Sequence, residues 1–202
     1  TTVTCYDGQN KKEVTCPTNK LDETSKSLID KHTWNTGAID YNTRTNTLAF
    51  YKDERGKQTG KICNGGDYCN DTVTRKTEWT GYIGLPYATD YAYASSESDC
   101  ETNMNAGDID FDNGIFNMTC KKNNWMHHGT TMEIEDATWF MSPGASPVYA
   151  DVVWSVYGDG FVGNDFATNP LSVFPTIYLK SNILIESGKG TSSNPYILKA
   201  GS

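Results

Sequence analysis

Between residues 139 and 180 the chain sets short apolar runs between turn residues. Trp139 and Phe140 lead into S-P-G, an apolar run covers 152–157, Asp159 and Gly160 make a turn before Phe161 and Val162, and a last run covers 173–179. Runs of this length, rich in aromatic and β-branched residues and bounded by Gly, Pro and Asp, predict strands. The expected strands are 139–141, 152–157, a short one at 161–162, and 173–179, with Trp139 and Val173 in the core. Upstream, Tyr82, Ile83, Leu85 and Tyr87 fit a buried strand that Pro86 makes irregular or places at an edge. Residues 48–55, stopped by Gly56, predict a helix with Leu48, Phe50 and Tyr51 inward. Asp22 or Thr24 is positioned to cap a short helix carrying Leu28 and Ile29. At the N-terminus, two β-prone tetrads flank Asp7-Gly8 and predict a hairpin. The tail over 182–198 reads as two short strands joined by a Gly/Ser turn. Residues 95–124, rich in Asn, Asp and Ser, read as a long surface loop.

Composition narrows the function classes. The chain has 202 residues, with 17 Lys and Arg against 25 Asp and Glu, a net charge of −8. A nucleic-acid groove needs clustered cations to displace counterions, so nucleic acid is not an expected partner. No run approaches the roughly 18 apolar residues that span a bilayer, and no charged-then-apolar signal segment opens the chain.

The six cysteines are Cys5, Cys16, Cys63, Cys69, Cys100 and Cys120, and no C-x-x-C metal pair occurs among them. Their even number and the turn-rich segments they bracket suggest disulfides Cys5–Cys16, Cys63–Cys69 and Cys100–Cys120. Sequence alone leaves other connectivities open. Disulfides persist in oxidising compartments, which places the chain outside the cytoplasm.

Two resemblances add to this reading. From residue 34 onward the chain resembles uncharacterised secreted surface proteins of low-GC Gram-positive gut bacteria. The motifs that carry it are W-N-T-G at 34–37, F-Y-K-D-E-R-G at 50–56, W-T-G-Y-I-G-L-P-Y-A-T-D-Y-A-Y-A at 79–94, C-K-K-N-N-W at 120–125, and the ending Y-L-K-S-N-I with G-K-G-T-S-S-N-P-Y-I-L. Such proteins commonly carry a prepilin-type N-terminal hydrophobic helix. The resemblance therefore implies a type IV pilin-like head, with membrane contact only through a helix ahead of these residues. The segment 139–180 is similar to the C-terminal part of a C-type-lectin-like fold, one shared with the formylglycine-generating enzymes. This implies an α+β fold of twisted antiparallel sheets, two short helices and long disulfide-stapled loops. On this reading residues 1–30 form an N-terminal hairpin and linker extension and 31–202 the lectin-like domain. Relatives have W-L-R-S-P-G and V-R-P where this chain has Met141 and Phe174 in place of the arginines, so an Arg–carboxylate lock from those positions is absent and the core there is expected to be apolar.

Candidate chemistry is sparse. Asp108, Asp110 and Asp112 alternate as calcium-binding carboxylates do, but Asn113 and Thr119 stand where an EF-hand needs Gly and Glu. A looser calcium site stays open beside the plainer reading of an acidic, solvated loop. No other cofactor is expected. His127 and His128 are adjacent and there are only three histidines, a poor basis for a zinc site. Ser142 in S-P-G lacks the G-x-S-x-G elbow of a serine nucleophile. The formylglycine-generating enzymes use two cysteines late in the domain, and this chain has none after Cys120. The E-P-N or Q-P-D tripeptide of calcium-dependent lectins is also missing. Aromatics near the expected loops remain: Tyr87, Tyr91, Tyr93, Tyr149, Trp154, Tyr157 and Phe161, of which Tyr149, Tyr157 and Phe161 are the expected ligand-binding set. The expected function is a non-enzymatic extracellular surface protein, the soluble head of a type IV pilin-like subunit in filament building or adhesion. Its partners would be other pilin subunits or a host or surface protein or glycan. The alternative is a phage or bacterial receptor-binding, sequence-diversified protein on the same fold, and third comes an enzyme of the formylglycine-generating type.

Overall fold

The computed structural model describes residues 4–7, 12–15, 23–40, 46–56, 76–110, 112–113, 115–129, 132–133, 137–145, 151–190 and 193–201. The fold is mixed α+β, mostly strands, with a few short helices and several small sheets. Strands β1 (Thr4–Asp7) and β2 (Lys12–Thr15) form the expected N-terminal hairpin. Helix α1 (Glu23–Leu28) follows, then β3 (His32–Asn35), β4 (Ile39–Asp40) and α2 (Thr47–Glu54). Asn46 caps α2 by accepting the Ala49 N–H at 2.8 Å. Strand β5 (Glu78–Gly81) pairs with β3, and α3 (Ala88–Tyr93) leads to a 3₁₀ turn at Ser98–Glu101. Next come the hairpin β6 (Gly107–Asp110) and β7 (Ile115–Met118), a second 3₁₀ turn at Thr119–Lys121, and the short pair β8 (His128–Gly129) and β9 (Met132–Glu133).

The main sheet is built on β10 (Ala137–Ala145). It pairs antiparallel with β11 (Val152–Tyr157), which pairs with β12 (Val162–Phe166). Along its other edge β10 runs parallel to β13 (Ser172–Val173) at one end and to β4 at the other. From Thr138 onward β10 alternates strictly, with Thr138, Phe140, Ser142 and Gly144 buried and the residues between them half-buried. The β10–β11 register shifts between Trp139 and Pro143, where proline has no N–H for the ladder. Helices α2 and α3 cover the buried face. Phe50 meets Trp154 edge-on at 4.6 Å, and Tyr91 lies 6.2 Å from Phe140. The chain ends in an antiparallel hairpin of β14 (Ile183–Ser187) and β15 (Ile197–Ala200).

Several expectations need correction. Phe50 is fully buried, but Leu48 and Tyr51 point outward. Eight residues before a Gly stop do not fix helix phase, and the interior takes only the stripe that faces Trp154. Tyr82 and Ile83 are exposed rather than in a buried strand, because β5 ends at Gly81. Val173 is 55% exposed, not core: β13 is a two-residue edge strand. Trp139 is half-buried.

Residues 95–124 are not a surface loop. Cys100, Met104, Met118 and Cys120 are buried, and Cys100 is bonded to Cys120. Two asparagines let polar sequence run through the interior. Asn105 donates to Val162 O and accepts from Val162 N, both at 2.8 Å. Asn124 donates to Tyr91 O and Cys120 O while its Oδ1 accepts from the amides of Met126 and His127. An amide that meets every backbone partner can be buried at little cost. Cys5 lies on β1, while Cys16, Cys63 and Cys69, the other members of the proposed Cys5–Cys16 and Cys63–Cys69 bonds, lie outside the described residues.

Candidate functional site

Strands β3 and β5 place Trp34 directly opposite Trp79. Directly opposed residues of an antiparallel pair project from the same face. Trp34 is buried, whereas Trp79 is 47% exposed. Trp79 opens one wall of a solvent-facing cleft of about 580 Å³, lined almost wholly by apolar groups. Ile83 and Leu85 continue that wall, Met141 and Val153 come from the main sheet, and Val173 and Pro175 close the far side. Gly84 forms the floor. It exchanges two backbone hydrogen bonds with Thr176, at 2.8 and 2.9 Å, and a Cβ there would collide with Met141 Cε and the Trp34 indole. Only glycine allows that approach.

Behind the cleft lies a polar node. Glu54, at the end of α2, is fully buried, and its carboxylate accepts from Arg55 Nη1, from Thr89 Oγ1 and, at 3.1 Å, from Ser142 Oγ. Arg55 also donates to Thr89 Oγ1 at 2.8 Å and to Asp90 Oδ1 at 2.7 Å. Its guanidinium lies 4.2 Å from the ring centres of both Tyr51 and Tyr87. Asp90 Oδ2 in turn accepts the Tyr87 N–H at 2.9 Å, and Tyr87 donates its hydroxyl to Asn35 O at 2.7 Å. Burial pushes the Glu54 carboxyl up to about 7, against the pull of Thr89, Arg55 and Ser142. The node ties α2, α3, β3 and β10 together.

The node refines the expectation of an apolar core at the two missing arginines. Met141 does line the apolar cleft and Phe174 packs against the core. One residue on, however, Ser142 turns inward and meets the buried Glu54 carboxylate of α2, which is paired with the half-buried Arg55 after it.

No family model, curated protein or solved structure matches this chain.

The aromatics singled out from sequence divide. Tyr87, Tyr91 and Trp154 are core residues. Tyr157 and Phe161 come together across the Asp159–Gly160 turn, half-buried, with ring centres 6.3 Å apart. The Tyr157 N–H donates to Phe161 O at 3.0 Å and the Phe161 N–H to Asp159 Oδ1 at 2.8 Å. Neither residue lines the cleft, and Tyr149 lies outside the described residues. Burial raises the Tyr157 phenol.

Asp108 and Asp110 lie on β6 and Asp112 in the turn after it. Asp110 spends its carboxylate on that turn: Oδ1 accepts from the amides of Asp112 and Asn113, and Oδ2 accepts from Asn113 Nδ2 at 2.7 Å. These hydrogen bonds, the Asn113 side chain first, hold its pKa below the usual value. Among the described residues, no three His, Cys, Asp or Glu side chains gather as for a metal ion. His127 is buried with Nδ1 3.1 Å from the Tyr91 hydroxyl, while His128 is exposed. Burial, with Lys121 and His128 nearby, lowers the His127 pKa to about 4.

Sequence reasoning missed the cleft. Trp79, Ile83 and Val173 are apolar, and nothing in their spacing separates a core position from an open wall. The node did leave a trace: adjacent Glu and Arg inside F-Y-K-D-E-R-G are an odd insertion at the end of a helix assigned to the core.

Proposed function

We propose that this chain is a non-enzymatic extracellular surface protein, the soluble head of a type IV pilin-like subunit that builds filaments or adheres through its open apolar cleft. The observation that carries this reading is the cleft. Its walls present Trp79, Ile83 and Val173 to solvent over a rigid, hydrogen-bonded floor, and apolar surface of that kind marks a contact site. The buried Cys100–Cys120 disulfide supports an oxidising location. We also propose a C-type-lectin-like architecture. The long β10 strand carrying W-x-x-S-P-G, the meander into β11 and β12, and a disulfide-closed insertion that packs into the body all fit it. Partners on this reading are other subunits or a surface protein or glycan. Among the described residues, no helix is long and apolar enough to cross a membrane.

The reading is tested by displaying the chain on cells and measuring adhesion and surface assembly. Trp79→Ala is expected to impair one or both with the melting temperature unchanged. Wild-type adhesion and assembly in that variant would overturn the proposal.

A further inference from the structure

The methionines of this chain are Met104, Met118, Met126, Met132 and Met141. Met104, Met118 and Met126 are 0, 2 and 6% exposed, and the Met132 side chain lies outside the described residues. Met141 differs from the buried three. It is half-buried and lines the open cleft beside Trp79, Val153 and Val173. Its placement is fixed by its surroundings. The Met141 N–H donates to Pro86 O at 2.9 Å, its neighbours Phe140 and Ser142 are buried on the opposite face of β10, and its Cε lies against the Gly84 floor. A thioether keeps this wall apolar while leaving a polarisable sulfur that oxidants attack.

We propose that Met141 is a redox-modification site: a hydroperoxide converts its thioether to the sulfoxide, and the sulfoxide switches off the contact surface of the cleft. This adds regulation to the cleft and rests on the reading of the cleft as a contact site.

The chemistry closes with hydrogen peroxide as the oxidant. A sulfur lone pair attacks one peroxide oxygen, and an S–O bond forms as the O–O bond breaks. The departing hydroxide takes the hydrogen of the transferred oxygen and leaves as water. Sulfur is oxidised and the peroxide is reduced. The rate follows access to the sulfur, and an oxidant in the cleft reaches Met141 without any opening of the core. The oxidising location that the Cys100–Cys120 bond supports is one where such oxidants are met.

The consequence is a change of polarity. In the open cleft water solvates the new oxygen. An apolar partner closing the cleft strips that water away, and an acceptor buried without a donor opposes the contact. The Thr36 hydroxyl in the lining already donates to Lys76 O at 3.1 Å. Phe140 and Ser142 keep their places on the other face, so the fold is spared. Sulfoxide is reducible, which makes the switch reversible.

The test has two arms. The purified native chain is treated with a graded series of hydrogen peroxide, and each sulfoxide is quantified by peptide mass spectrometry. Met141 is expected to oxidise at least about tenfold faster than Met104, Met118 and Met126, a difference that unfolding in urea should abolish. In the second arm, adhesion and surface assembly of the displayed chain are read as the ratio after and before peroxide. Wild type is expected to lose most of one or both, and to regain them with methionine sulfoxide reductases A and B. Met141→Leu, compared with its own untreated state, is expected to lose neither. Should Met141→Leu adhere too weakly to compare, recovery of treated wild type with the reductases decides, and no recovery overturns the proposal. Equal oxidation of the buried methionines, or Met141→Leu losing as much as wild type, would also overturn it. Treated wild type that keeps adhesion and assembly with Met141 oxidised sinks this inference alone if Trp79→Ala has lost them. A Trp79→Ala variant that keeps both sinks the reading of the cleft itself.

Discussion

Ser142 donates its hydroxyl proton to Glu54 Oε2 at 3.1 Å, joining residues 88 positions apart in the chain. The contact fixes the end of α2 against the middle of β10, at a buried carboxylate whose second oxygen is shared by Thr89 and Arg55. The helix register is thereby set by hydrogen bonding as well as by the packing of Phe50.

Glu54 and His127 give the chain two opposed pH responses. Folded, Glu54 keeps its proton to about pH 7; unfolded, it ionises near 4.5. Its contribution is therefore complete below 4.5 and is lost as pH rises through 7. Folded, His127 stays neutral down to about 4; unfolded, it protonates near 6.5. Its contribution is present above 6.5 and is lost as pH falls through 4. Each shift corresponds to about 3 kcal/mol across its window. Urea unfolding from pH 4 to 8 is expected to show Glu54→Gln losing more stability than wild type on acidification. His127→Gln should lose less. Parallel profiles for all three proteins would remove both assignments.

The Cys100–Cys120 bond closes a sequence separation of 20 residues inside the core. Opening it is expected to cost about 3 kcal/mol through the freed unfolded chain. Cys100→Ala with Cys120→Ala should show the loss as a lower urea midpoint, and native protein should resist mild reductant because both sulfurs are covered.

Much of the strand order could be read from the sequence, and the reason is local. The runs at 152–157 and 182–198 are bounded by turn residues, and they became β11 and the terminal hairpin. What could not be read depends on partners far along the chain. Val173 and Trp154 look alike in pattern, yet one lies on a two-residue edge strand and the other beneath Phe50. The segment 95–124 has the composition of a loop and the burial of a core because Asn105 and Asn124 find backbone partners that no local window contains. Glu54 and Arg55 are neighbours in sequence, but their companions Thr89, Asp90 and Ser142 come from other elements.

That contrast gives a direct comparison. Trp154→Ala is expected to destabilise the fold by about 3–5 kcal/mol, as truncation of a buried large aromatic does. Val173→Ser should leave the melting temperature within about a degree of wild type, since exposed changes away from such features are nearly neutral. A large loss in the second variant would mean that the cleft wall is packed shut in solution.

Calcium is expected to leave thermal stability unchanged. The Asp110 carboxylate already accepts hydrogen bonds from its own turn, and a cation would have to displace them. Melting in calcium and in chelator should coincide; a rise of many degrees with calcium would require occupancy far above the dissociation constant and would restore the site.

Among its described residues the terminal hairpin has no fully buried side chain, so its opening need not await global unfolding. In an isolated copy its amide protons should exchange with solvent on the timescale of local fraying, while those of β10 and β11 wait for cooperative opening of the whole body. The chain thus carries two levels of protection in one molecule, and the weaker can be raised only by something outside it. A footprint that slows exchange selectively over 183–200 would register contact before any change in the rest of the fold could be seen.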